Sequence, residues 1–369
     1  MSFKKKVLFI GSFVDKANDG SVGGQMYACK SLIESKLSDQ IEWILLDTTG
    51  KSVPPPSIFK RGIFAINRLI KYILLIITKK PSSILIFAGS GASVYEKGIM
   101  ILIGKIFFKK IIFAPRGGGL VDEIAQSNFF KLYVRLIFYF SNYIICQGTY
   151  WSDFFKSILK AENHDKLIII SNWIDIDKYK STISNLTSSN KNDLTIISMG
   201  WMEKEKGVHD LFEATLLLKQ VDIKINMVFL GDGTLKNELY NRSKSLRNNS
   251  KIVYHFPGWI YGQDKINYLQ NADIFVLSSY FEGMPNSLIE SMASNLACIS
   301  TDVGAVSDII DDNYNGFLYN PGDTKQLAKF LQIFIDSETI RKEFSNRALD
   351  KIHKNNSLSN AVKIFQQIL

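Results

Sequence analysis

Little cysteine, little histidine and no long uninterrupted apolar run set the first limits on this chain. Its three cysteines, Cys29, Cys146 and Cys298, lie far apart, each in or beside an apolar run. That pattern suits buried, reduced thiols in a reducing cytosol better than a disulfide framework or a cysteine metal site. The segment nearest to a membrane span, Ile63 to Thr78, carries Arg68 and Lys71 inside it. It falls short of the roughly 20 uninterrupted apolar residues that a spanning helix needs. At the N-terminus, MSFKKKVLFIGSF has no small-residue cleavage site, and its apolar part, Val7 to Ile10, runs into a glycine. It reads as a first β-strand rather than a signal peptide. Internal repeats, low-complexity segments and a GxGxxG fingerprint are also missing.

What is present is apolar and unevenly charged. With 369 residues, 46% of them hydrophobic, the chain has material for two cores, because single cores stop growing at roughly 250 to 300 residues. Residues 1–190 hold 25 Lys and Arg against 14 Asp and Glu, whereas residues 191–369 hold 19 against 21. The basic residues of the first half are interleaved with aliphatic and aromatic runs, as in RGIFAINRLIKYILLIITKK and GKIFFKKIIF. That texture resembles a surface facing anionic lipid more than one facing nucleic acid. The alternative is a set of lysines on ordinary solvated faces.

Short runs rich in Val, Ile and Phe recur at 7–10, 84–88, 111–114, 143–146 and 167–170, each followed by a turn and a helical pattern. The series restarts at 194–198, 225–230, 252–256, 274–278 and 297–301, after the polar stretch Ser181 to Asp193. Such alternation predicts parallel sheets covered by helices. The fold class expected is therefore α/β, with two doubly wound, Rossmann-like domains facing across a cleft, the first over 1–180 and the second over 181–354. Ligands are expected beyond the carboxyl ends of the strands.

After the first strand, Gly23 and Gly24 precede a helical pattern, and Gly231-Asp232-Gly233 makes a similar turn. Such glycines let backbone approach an anion, although both also read as plain turns. Gly200 ends a strand, and Lys206-Gly207 stands just ahead of an amphipathic helix, where a lysine can reach a diphosphate. Lys204 and Lys206 read otherwise as solvated loop charges. The most informative segment is SSYFEGMPNSLIESMASNLACIST, residues 278–301. Pro285 suits a first helical turn, leaving the amides of Asn286, Ser287 and Leu288 to face an anion. Glu282 lies in the loop before that helix and Glu290 inside it. Two carboxylates beside a phosphate make sense if the ligand also offers hydroxyls; otherwise one is a solvated loop glutamate and the other a helix-surface glutamate.

These fragments together resemble the retaining glycosyltransferases of family 4, of GT-B architecture and bacterial surface-polysaccharide type. The similarity covers nearly the whole chain and is densest from Asn172 to Asp323. It rests on SNWIDIDKY (171–179), GWMEKEKG (200–207), GDGTLKNEL (231–239), NADIFVLSSYFEGMPNSLIESMA (271–293), TDVGAVSDII (301–310) and NGFLYNPGD (315–323). Glu282 and Glu290 are similar to the two glutamates of the family's E-x7-E motif. The resemblance implies Lys206 on the donor diphosphate, Glu282 on hydroxyls of the transferred sugar and Glu290 on the ribose. It also implies backbone from Gly283 through Met284, Asn286 and Ser287 to Leu288 on phosphate and sugar oxygens. It further implies Gly24 approaching the diphosphate from the opposite domain, and Trp259 and Ile260 as candidates for lining the base. A C-terminal helix over about 355–369 is expected to pack back on the first domain.

The sequence departs from the family pattern twice. Trp201 stands where an arginine is usual, so half of the cationic clamp is missing unless Lys204 replaces it. Where many members carry a histidine, this chain has FAPRGGGLVDE, residues 113–123. Arg116 and Gly117 are then the candidates for the acceptor, although an arginine with a glycine turn is also ordinary loop content. Asp175-Ile176-Asp177 matches the metal signature of a different glycosyltransferase fold but sits in the interdomain crossing, and no metal or other cofactor is expected.

The implied activity is transfer of a hexose or N-acetylhexosamine from a UDP- or GDP-sugar to a lipid-linked glycan, by front-face substitution without an enzymic nucleophile. The expected place is the cytoplasm, peripheral on the membrane. The rivals are a sugar-nucleotide epimerase, for which His164, His209 and His255 are poorly placed, and a catalytically silent nucleotide-sugar-binding subunit, suggested by Trp201.

Overall fold

The computed structural model describes residues 4–14, 24–49, 57–179, 193–218, 223–246 and 251–369. Gly23 and residues 181–192 of the polar stretch lie outside them. Contacts divide the chain into two units, Met1–Trp173 with Leu358–Leu369, and Ile174–Ser357.

The first unit alternates β1 (Lys5–Gly11), α1 (Gly24–Ile33), β2 (Ile41–Asp47), α2 (Ile58–Lys79), β3 (Ser83–Ala88), α3 (Ala92–Ile106) and β4 (Lys110–Pro115). It continues with α4 (Leu120–Gln126), α5 (Asn128–Phe140), β5 (Tyr143–Cys146), α6 (Thr149–Ile158) and β6 (Leu167–Ile169). All six strands are parallel, in the order β2-β1-β3-β4-β5-β6. Interior strands such as SILIFA are buried at every position, as expected of a parallel sheet covered on both faces.

Successive side chains of a strand point to opposite faces, and this sorts the helices. Val7, Phe9, Phe87 and Ile112 share a core with α1. Ile84, Ile111 and Phe113 face the other way, where α2 and α3 close on Ile84 and Ile111 around Gly104 and Phe138 of α5 meets Phe113. On that second face α3 packs against both α2 and α5.

The second unit runs β7 (Asp193–Met199), α7 (Val208–Leu216), β8 (Lys224–Leu230), α8 (Lys236–Ser245), β9 (Ile252–Gly258), α9 (Gly262–Gln270) and β10 (Ile274–Leu277). Then come α10 (Asn286–Ala293), β11 (Ala297–Thr301), β12 (Phe317–Tyr319), α11 (Thr324–Asp336) and α12 (Glu338–Asn355). Its strands are also parallel, ordered β12-β11-β10-β7-β8-β9. At the crossing, Ile174 and Ser357 form an isolated bridge. The chain then returns to the first unit as α13 (Leu358–Ile368), which packs on α1. There Phe365 meets the ring of Trp173 edge-on at 5.7 Å, and the indole of Trp173 donates to the Ser31 hydroxyl at 2.9 Å.

Candidate active site

In both units the loops that carry polar chemistry leave the carboxyl ends of parallel strands, where open sheets of this kind bind ligands. In the second unit the chain passes from β7 through Gly200 and Trp201 into a 3-10 turn over Lys204–Lys206, and then into α7. Gly207 closes the turn in the left-handed region at φ 59°. A Cβ on it would stand 1.9 Å from the carbonyl oxygen of Ser278, so only glycine lets this loop approach the end of β10. The Tyr280 amide donates to the Glu205 carbonyl at 2.8 Å, and the Ser278 hydroxyl to the Lys206 carbonyl at 3.0 Å. Held in this way, Lys206 Nζ pairs with Glu282 Oε1 at 2.6 Å, and the Ser279 hydroxyl donates to the same oxygen at 2.7 Å.

The helix beyond, α10, takes Pro285 as its N-cap at φ −76° and ψ 116°. The proline thus sits one position before the first turn, where its missing N–H is equally harmless. Ser287 and Leu288 lie in that first turn, with Asn286 at its start. Met284 and Leu288 are buried, so neither turns its side chain to solvent, while Gly283 and Asn286 are half-buried.

Glu290 is not a helix-surface glutamate: it is 8% exposed, and its Oε1 accepts from Lys265 Nζ of α9 at 2.7 Å. Lys265 was not singled out from the sequence, because no pattern there shows that α9 packs beside α10. Each glutamate therefore carries its own lysine, which removes the repulsion that two bare carboxylates beside a phosphate would create.

Trp201 is exposed and meets Trp259 edge-on, with ring centroids 4.7 Å apart at 77°. Trp259 in turn lies nearly parallel to Tyr261 at 6.4 Å, and Ile260 between them is half-buried. The arginine position thus carries an aromatic wall shared by the ends of β7 and β9. The Lys204 side chain is exposed and is not brought to the Glu282 pair. Instead Lys236, at the start of α8, places its ammonium 3.5 Å from where a Cβ on Gly258 would be and pairs with Asp232 at 2.8 Å. That hydrogen bond holds the Asp232 carboxyl below its ordinary range.

Asp175 and Asp177 flank Ile176 at a 3-10 turn, where Asp175 lies 3.6 Å from Lys178. Among the described residues no group of three or more His, Cys, Asp or Glu side chains is placed to hold a metal. Three of the four histidines are engaged elsewhere: His164 with the Lys156 carbonyl, His209 with Arg242, and His255 with Asn226.

In the first unit, Arg116 follows β4 directly. Its Nη2 donates to Asn172 Oδ1, which also accepts from Gln147 Nε2 at 2.8 Å. The guanidinium lies 4.8 Å from the ring centroid of Trp173 and 5.2 Å from that of Phe87. Burial lowers its pKa to about 10. Nη1 of Arg116 and Oε1 of Gln147 are buried and have no hydrogen-bond partner among the described residues. A buried donor and acceptor left without partners at the ends of two strands suit a ligand that brings an anionic oxygen and a hydroxyl. Gln147 escaped the sequence reading; its signal was its place directly after the strand YIIC. Gly117 lies so near the β3 end that a Cβ would come 2.5 Å from the carbonyl carbon of Gly89. Gly24 is the exposed first residue of α1.

Residues 180–351 match the family of glycosyl transferases group 1. Among relatives, an N-acetylgalactosamine-N,N'-diacetylbacillosaminyl-diphospho-undecaprenol 4-alpha-N-acetylgalactosaminyltransferase of Campylobacter jejuni is 28% identical over 50% of this chain and 48% of its own. The capsular polysaccharide biosynthesis glycosyltransferase CapM of Staphylococcus aureus is 22% identical over 78% of this chain and 76% of its own. Among solved structures, HepE of Anabaena in complex with UDP superposes with a TM-score of 0.70 at 15% identity, covering 98% of both chains. The chain is thus a glycosyltransferase of the GT-B fold whose residues 180–351 match the glycosyl transferases of group 1.

Proposed function

We propose that this glycosyltransferase moves a hexose or N-acetylhexosamine from a UDP- or GDP-sugar to a lipid-linked glycan, with retention at the anomeric carbon, in the assembly of a bacterial surface polysaccharide. The observation that carries the reading is the pairing of Lys206 with Glu282 and of Lys265 with Glu290 at the carboxyl end of one sheet. A nucleotide-diphosphate sugar presents anionic phosphates between two sets of hydroxyls, and lysines interspersed with carboxylates match that order of charges. In this reading Glu282 accepts from hydroxyls of the transferred sugar and Glu290 from the ribose. Lys206 and the first turn of α10 take the diphosphate, and Trp201, Trp259 and Ile260 line the base. The UDP-bound Anabaena structure and the diphospho-undecaprenol in the name of the Campylobacter enzyme support the donor and acceptor classes.

In the reaction, the acceptor hydroxyl oxygen bonds to C1 on the face from which the β-phosphate departs. The breaking C1–O pair goes to the phosphate oxygen, which also receives the hydroxyl proton. Charge therefore develops on the leaving diphosphate, where a preorganised cation and backbone amides act most strongly. Arg116 and Gly117 of the first unit are assigned to the acceptor, with Asn172 and Gln147 orienting the guanidinium.

The test is to incubate the purified chain with UDP-, GDP- and dTDP-sugars and follow both thermal stabilisation and donor turnover. A ligand that binds only the folded state raises apparent stability with its concentration. One nucleotide sugar should do so and be consumed, and the anomeric configuration of the product should match that of the donor. Stabilisation without turnover in the presence of acceptor lipids would favour a silent binding subunit, and an inverted product would reject retention.

A further inference from the structure

Three helices of the first unit lie side by side over one face of its sheet, and their inward contacts are conventional. The Tyr72 hydroxyl of α2 donates to the Met100 carbonyl of α3 at 2.8 Å, and Arg68 of α2 grips Glu96 of α3 with two hydrogen bonds at 2.6 and 3.0 Å. The Tyr133 hydroxyl of α5 reaches the Tyr95 carbonyl of α3 at 2.7 Å. The outward sides are not conventional. A surface helix normally turns charged and polar residues to water, but α2 exposes Ile63, Ile66, Ile70, Leu74 and Ile77 at helical spacing. On α5, Phe129, Leu132 and Leu136 form a second exposed stripe. Phe108, in the turn after α3, is 96% exposed. Side by side, these stripes make an apolar surface of a kind that monomeric soluble proteins rarely leave uncovered.

The charges around the stripes are of one sign. Helices α2, α3 and α5 contain a single carboxylate, Glu96, and it is taken by Arg68 and Lys97. Lys60, Arg61, Lys71 and Lys79 are exposed along α2. Two copies of this face pressed together would oppose cation to cation, whereas an anionic bilayer complements it. Among the described residues no helix is long and apolar enough to cross a membrane, so the match is to a surface that lies in the interface.

We propose that the α2–α3–α5 face seats in the headgroup and acyl boundary of an anionic bilayer, held by insertion of its isoleucine, leucine and phenylalanine side chains as well as by its lysines. This deepens the reading of a lipid-linked acceptor and rests on it only for orientation. The amino ends of α3 and α4 meet at the strand ends where Arg116 stands, so a carrier lipid leaving the membrane at that rim brings its phosphate to the Arg116 side of the sheet. Insertion also separates the idea from simple charge attraction. At about 1 M salt the screening length is about 3 Å and electrostatic attachment fades, while buried apolar contact persists.

The experiment is co-sedimentation of the full chain with vesicles of phosphatidylcholine, alone and mixed with phosphatidylglycerol, at low and high salt. The wild type should bind the mixed vesicles and keep part of that binding at high salt. An Ile66→Glu/Ile70→Glu variant, altered only at exposed positions, should bind on the order of a hundredfold more weakly with an unchanged unfolding midpoint. A Lys60→Gln/Arg61→Gln/Lys71→Gln variant should lose the extra binding that low salt gives the wild type but keep the high-salt remainder. Donor turnover in solution, followed in parallel, should be the same in all of these variants. Absent binding by the wild type, or binding that the glutamates leave intact, overturns the face while donor turnover still speaks for the enzyme. Dimerisation that the glutamates abolish, without vesicle binding, would reassign the face to a second copy. Vesicle binding that the glutamates abolish, with no nucleotide sugar turned over, sustains the face and sinks the enzymic reading.

Discussion

A methyl group on Gly207 would collide with the Ser278 carbonyl at 1.9 Å in a backbone region that L-residues occupy only under strain. Gly207→Ala should therefore cost about 1 to 3 kcal/mol of stability and swing Lys206 off Glu282, lowering both the unfolding midpoint and donor turnover. Wild-type values for both would show that the loop does not depend on this contact. Lys206→Ala removes a charged hydrogen-bond donor without the backbone strain. It should weaken transition-state stabilisation by about 1.5 to 3 kcal/mol, roughly ten- to a hundredfold in kcat/KM; full activity would remove Lys206 from the site. Glu282→Gln should impair sugar transfer more than nucleotide affinity, and an equal loss of UDP or GDP binding would overturn the division of roles between Glu282 and Glu290. Trp201→Ala tests the aromatic wall. If a base stacks on it, affinity for the free nucleotide should fall by about 1 to 3 kcal/mol, which titration calorimetry would read directly. Of these side chains, Lys206, Glu282 and Glu290 were legible from motif spacing. Lys265 and Lys236 were not, because each reaches its place by packing of a neighbouring element rather than by local sequence, and Gln147 was passed over although its place directly after β5 marked it.

At the scale of elements, apolar runs bounded by turns located ten of the twelve strands among the described residues, and the two that escaped are instructive. β2 (IEWILLD) is an edge strand with a charged residue near each end and an alternating exposure, so it lacks the continuous apolar run of a buried parallel strand. β12 is three residues long, also at an edge, and is too short to show any period. α7 ends at Leu216, although the helical spacing continues to Leu218: a residue beyond a helix end can still pack on the same core. The most consequential element for stability is α13. It contributes Ala361, Val362, Phe365 and Ile368 to the core of the first unit, and Phe365 is fully buried against Trp173. Phe365→Ala should cost about 3 to 5 kcal/mol, expressed in unfolding of the first unit while the second keeps its transition. A single transition shifted as a whole, or none shifted, would contradict that assignment.

Across the whole molecule, all three cysteines are free and buried. Burial pushes the thiols of Cys29 and Cys146 from an ordinary 9.0 up to about 12 and raises that of Cys298 as well. Above pH 9 the unfolded chain surrenders thiol protons that the folded chain keeps. Stability present below pH 9 is therefore lost as the pH climbs toward 12. Denaturant midpoints measured between about pH 8 and about pH 10.5 should fall more steeply for the wild type than for a Cys29→Ala/Cys146→Ala/Cys298→Ala variant; equal slopes would reject the account. The division of charge between the halves was also plain in the sequence, but the apolar stripes were not. Only the packing of α2, α3 and α5 decides which of their many aliphatic residues turn outward. The return of α13 to the first unit has a further consequence, for the order of events on the ribosome. Residues up to Trp173 are synthesised first, yet the helix that covers Trp173 emerges only after every residue of the second unit. The half made first is thus the last to be completed, and until then Trp173 and its neighbouring core residues lack the helix that covers them.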